Sequence, residues 1–164
     1  MISNTPKMVQ MAAAETVRQV FKGKRFNSPT GPKALNVFEQ DIYVPEGSDE
    51  DVDTELAVMP YVIVRLAGGE VKDDNSTQTV EITFIVGAYD DSGKRIGWDD
   101  VLNILEDLMK HFCSVRNIGE NSHILLPIEW AMQEDDSQPY YFGAMRATVT
   151  VPAYTTEELL EDMI

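Results

Sequence analysis

Few side chains in this 164-residue sequence have the type and spacing that chemistry requires. Cys113 is the single cysteine, and a thiol becomes a nucleophile when a neighbouring base or cation lowers its pKa. His111 is close in sequence, but two residues along a helix turn side chains about 200° apart. Cys113 is therefore expected to be a small buried hydrophobe on an apolar helix. His111 and His123 have no cysteine or carboxylate partner at zinc-ligand spacing. Asp49, Asp51 and Asp53 imitate the opening of a calcium loop, yet Thr54 stands where that loop needs glycine and Pro60 where it needs glutamate. Gly68-Gly69 is followed by no Gly-Lys-Ser/Thr, and there is no Gly-x-Ser-x-Gly elbow, His-Glu-x-x-His or dinucleotide fingerprint. The many carboxylates fall in polar loops, not in the low-dielectric pockets that shift catalytic pKa values. The expectation is a protein that is not an enzyme and uses no cofactor or metal.

Charge and aromatic residues then become the informative features. The net charge of −15 disfavours sequence-specific nucleic-acid binding and anionic membranes. Its distribution is uneven: residues 1–33 carry +5 and residues 34–164 carry −20. One reading is a basic helix face in solvent. The other docks the basic segment on an acidic surface of a neighbouring copy or another protein. Arg18, Lys22, Lys24 and Arg25 are the candidate interface residues on that reading. Tyr140, Tyr141 and Phe142 join them as candidate anchors, because aromatic side chains dominate interface energies; core packing is the alternative for them and the expectation for Trp98 and Trp130.

The elements that would position these residues are legible from periodicity. Residues 8–22 read as a helix with Met8, Met11, Ala12, Val17, Val20 and Phe21 on one side. Residues 27–32 form a loop, residues 35–44 a strand, and the acidic run 46–55 a solvated loop. Residues 61–66 and 78–89 read as strands joined by a long hairpin connection, the second with apolar Val80, Ile82, Phe84 and Val86 alternating with polar residues. Residues 98–112 are the clearest helix, its stripe formed by Trp98, Val101, Leu102, Leu105, Leu108, Met109 and Phe112. Residues 124–132 and 140–152 form a last hairpin, with Pro127 marking an edge strand or a bulge.

This order predicts an α+β fold: a mostly antiparallel mixed sheet of about four to five strands with two helices packed on one face. The length suits one domain overall. Within it, residues 1–33 are a basic helix and loop, 34–153 the core, and 154–164 an acidic tail. A lone cysteine points to a reducing compartment, and no secretory signal or membrane span is expected.

A series of short segments resembles small phage and prophage proteins of the tail-completion region. They are Pro60–Leu66 with Gly69-Glu70, Ile85–Tyr89, Trp98–Glu106, Leu126–Trp130 and Pro139–Met145, ending at Pro152. Residues 1–57 lie outside the resemblance. It implies a tail terminator or similar neck component, with a mixed sheet, helices on one side, and no catalytic residues. It further implies a ring of identical subunits, commonly six, that caps the tail tube and offers a docking surface to the head connector. The implied location is the virion neck, after assembly in the bacterial host cytoplasm. Other roles left open are a head–tail joining protein, a minor capsid component, a tail assembly chaperone or a small regulatory binding module.

Overall fold

The computed structural model describes residues 3–42 and 58–154. The acidic run 46–55 and the tail from residue 155 lie outside the described residues. The first helix, α1 (Pro6–Val20), starts where the Thr5 hydroxyl accepts a hydrogen bond from the Met8 amide at 3.2 Å. Pro6 sits in the first turn, where its missing N–H leaves nothing unpaired. α1 buries Val9, Ala12, Ala13, Ala14 and Val17. The expected stripe is corrected here, since Met8 and Met11 are exposed. Three consecutive alanines let the helix backbone approach the sheet closely, and the longer methionines are left on its flank.

After a two-stranded hairpin, β1 (Arg25–Phe26) with β2 (Lys33–Ala34), come β3 (Asn36–Glu39), β4 (Tyr61–Glu70) and β5 (Gln78–Tyr89). The second helix, α2 (Gly97–Ser114), precedes β6 (Asn117–Ile118), β7 (Ser122–Met132) and β8 (Tyr140–Val151). One six-stranded sheet has the order β3-β4-β5-β8-β7-β6. β3 runs parallel to β4, and every other neighbouring pair is antiparallel. The α+β class and the two helices on one face match the expectation. The sheet is larger than the expected four to five strands, because a two-residue strand such as β6 is too short to show a period. The strand expected over 35–44 is also shorter, ending at Glu39.

β4 turns Val62 and Val64 towards the helices, β5 turns Ile82, Phe84 and Val86, and β8 turns Met145, Val149 and Val151. Against them α2 lays Val101, Ile104, Leu105, Leu108 and Phe112. Cys113 follows Phe112, about 100° round the helix axis, and is exposed instead of buried as expected. The sheet is curled, and α1 ties its two ends together. Ser3 Oγ donates to the Ile118 carbonyl at 2.7 Å near β6, and Gln10 Nε2 donates to the Val64 carbonyl at 2.9 Å on β4. On the opposite face, Phe38, Met59, Tyr61, Ile63 and Tyr89 form a smaller cluster at one end. Further along that face lie Glu81, Thr83 and Arg146.

Candidate interaction surfaces

The most elaborate polar arrangement lies where β5 hands the chain to α2. Arg95, at φ 57°, turns the backbone sharply before the helix. The Asp90 carboxylate is fully buried and accepts from the Ser92 amide at 3.1 Å and the Ile96 amide at 2.8 Å. Burial pushes this carboxyl up, but the bonds from Ser92, Ile96 and Gly97 outweigh it and hold its pKa below the usual value. Asp100 is shifted the other way, by burial first and then by the charges of Asp90 and Asp99. Arg95 and Asp136 close the arrangement with an exposed ion pair at 2.7 Å.

This geometry fixes the turn that leads into α2, whose N-cap residue, Ile96, makes no side-chain cap bond of its own. Asp90→Ala is expected to cost about 2 kcal/mol, as for lost caps and charge-assisted bonds. Because its folded pKa is lowered, the stability Asp90 contributes is present above the ordinary carboxylate range and fades as pH falls through the lowered value. Denaturant melts of wild type and Asp90→Asn should therefore converge in acid. A difference that is constant with pH would contradict the assignment. Among the described residues, no group of three or more His, Cys, Asp or Glu side chains could hold a metal ion.

The basic candidates do not converge on one point. Arg18 Nη2 donates to the Val37 carbonyl at 3.4 Å, and Arg18 Nη1 lies 3.6 Å from Glu15. Lys24 reaches across to Asp107 of α2 at 2.8 Å and covers the Phe21 ring at 5.5 Å. Lys22 and Arg25 are exposed. The aromatic candidates also divide, because alternate residues of β8 face opposite sides of the sheet. Tyr140 and Phe142 pack against the smaller cluster. Tyr141 is only 1% exposed on the helix side, which corrects its reading as an exposed anchor.

The surface that sequence reasoning missed is on β7. Leu125, Leu126 and Trp130 are 41%, 52% and 50% exposed, so Trp130 is not the core residue expected. The expected irregularity at Pro127 is present as a shift in the β7–β8 register between Leu125 and Glu129. Trp130, Ala131, Ala144, Arg146, Glu129 and Thr83 line a groove of about 280 Å³. Arg146 and Glu129 pair at 2.6 Å across β8 and β7, both well exposed, so the pair contributes little stability. A proline inside an apolar strand was the one sequence signal for this surface.

Compared with known families and with curated proteins, the chain matches no family model and no curated sequence.

Proposed function

We propose that this chain is a structural protein of the phage or prophage head–tail region. In this reading it is a ring-forming tail terminator that caps the tail tube and offers a docking surface to the head connector. The observation that carries the reading is the half-exposed Trp130 ring on β7, which lines a surface groove with Ala131, Ala144 and Arg146. A large aromatic ring left exposed beside a groove is the type of anchor that protein interfaces cover. The segments that resemble tail-completion proteins add support by their position. Tyr61 of β4 pairs with Gly87 of β5, which pairs with Phe142 of β8, so three of those segments adjoin at one end of the sheet. A fourth opens α2, which packs on β8 there: Gly143 lies where an added Cβ would come within 2.7 Å of Val101 and 3.1 Å of Leu105.

The partners on this reading are copies of the chain, six to a ring, together with the tail-tube and head-connector proteins. Its role is non-catalytic. The test is an in vitro joining assay. Purified protein added to unterminated tails is expected to yield particles that accept heads. Competent heads and tails that still fail to join would overturn the proposal.

A further inference from the structure

The helix layer stops short of one end of the sheet. Where α1 begins, at Pro6, it borders a groove of about 510 Å³ over the ends of β4 and β5, lined in part by Leu66, Gly68, Val71 and Val80. Leu66 and Val80 are continuous with the main core, whereas Val71 is 60% exposed. A Cβ added at Gly68 would meet no atom within 4 Å, so the space above that residue is open. The outer edge of β4 is open here as well. The Gln40 side chain accepts from the Leu66 amide at 3.0 Å and donates to the Leu66 carbonyl at 3.3 Å. Beyond it, among the described residues, no strand pairs with residues 67–70 on that side.

The chain leaves β8 at the wall of this groove. Val151, the last residue of β8, pairs with Gln78, the first of β5. The buried Gln78 side chain donates to the Pro152 carbonyl at 3.2 Å and so fixes the exit. Gln78 and the half-exposed Tyr154 both line the groove, so residue 155 starts at its rim. Residues 155–164 read Thr-Thr-Glu-Glu-Leu-Leu-Glu-Asp-Met-Ile. Thr155 and Glu158 have the spacing of a capping box. At helical spacing Leu159, Leu160, Met163 and Ile164 share one side, about 140° wide, and Glu157, Glu158, Glu161 and Asp162 take the other. So short a helix is not stable alone in water, and its apolar side needs a surface to lie on.

We infer that residues 155–164 fold back as an amphipathic helix into the groove of their own chain, extending the helix layer over the ends of β4 and β5. The four apolar side chains turn to Leu66, Val71 and Val80, and the acids turn to solvent. The lengths agree: nine helical residues span about 14 Å, and residues 66–71, in extended conformation, about 17 Å. The occupant is the same chain, because the segment begins where Tyr154 walls the groove. A tether that short gives an effective concentration in the millimolar range, above that of a separate copy. The helix also closes the open edge of β4, one of the ways proteins keep an edge from pairing with other chains. The inference concerns one copy and stands or falls apart from the tail reading.

Hydrogen exchange on the full chain is the experiment. The amides of residues 158–164 are expected to exchange about ten-fold or more slowly than in an unstructured peptide of the same sequence. That protection should be the same across a concentration series, as a contact within one chain requires. Leu160→Asp should abolish it from the segment's side, and Val71→Asp should weaken it from the groove's side. Both changes should leave the exchange of α2 and the circular dichroism of the core intact. Glu157→Gln, on the solvent side, should leave the protection in place. Wild-type amides that exchange at the unstructured rate would overturn the inference, as would protection indifferent to both Leu160→Asp and Val71→Asp. Protection that grows with protein concentration would also overturn it, since the segment would then be docking on another copy.

Discussion

Phe84→Ala is expected to lower the stability of the fold by about 3–5 kcal/mol. For a chain of this size, that corresponds to a fall in Tm of roughly 6–20 °C. Phe84 is fully buried at the middle of β5, opposite Val64 on β4 and Met145 on β8. Its ring lies 5.3 Å from that of Phe112, so it joins the sheet to α2. A void there cannot close easily, because β5 is held by ladders on both sides and its neighbours cannot move in without breaking them. Thermal and urea melts followed by circular dichroism would measure the loss. Trp130→Ala provides the comparison, since it removes a larger side chain from a half-exposed position. Its effect on the monomer should stay below about 1 kcal/mol. Equal losses for the two would mean that the helices do not pack on the Phe84 side of the sheet.

That contrast shows what periodicity conveys and what it does not. The alternation in residues 78–89 and 140–152 and the stripe over 98–112 were legible because central strands and a core helix obey one period for many residues. From them follow the α+β class, the hairpins and most of the core. Periodicity groups residues on a face but does not say how much of that face is covered. Trp130 lies near the sheet edge, just after a register shift, where the pleat no longer predicts burial. In α1 the burial of alanines in place of methionines depended on how closely the helix approaches the sheet, which is a tertiary quantity. Tyr141 was legible as aromatic and turn-adjacent, but its side of the sheet followed from the register of the whole strand.

The polar arrangement at the start of α2 was hidden for another reason. Asp90 works on backbone amides, and an amide donor carries no residue type that a sequence could display. Asp90-Asp-Ser-Gly93 reads only as a loop. The parallel β3–β4 pair was equally silent, because the length of chain between two strands permits such a crossover without requiring it. The edges of the sheet are thus the part of the fold that depends most on tertiary structure.

Gly97→Ala tests the other joint of the molecule, and its sign is unusual. In most helices this change stabilises, by up to about 1 kcal/mol. Here it is expected to destabilise by about 1–3 kcal/mol, the range for forcing a methyl into a packed core. A Cβ on Gly97 would fall inside the van der Waals envelope of the Tyr141 ring. That ring cannot swing aside: it is buried, and Trp98 meets it edge to face at 4.9 Å. Among the described residues the Tyr141 hydroxyl has no hydrogen-bond partner, so shape alone holds the ring in place. Tyr141→Leu should therefore relieve the clash. A double-mutant cycle should show Gly97→Ala costing much less on the leucine background, a coupling that two independent sites would not give. The consequence reaches the β7–β8 turn, because Arg95, two residues before the first helical residue, pairs with Asp136 there. A start of α2 displaced by the added methyl should loosen that turn, and hydrogen exchange there would report it. Gly97→Ala as stable as wild type would mean that α2 does not seat on Tyr141.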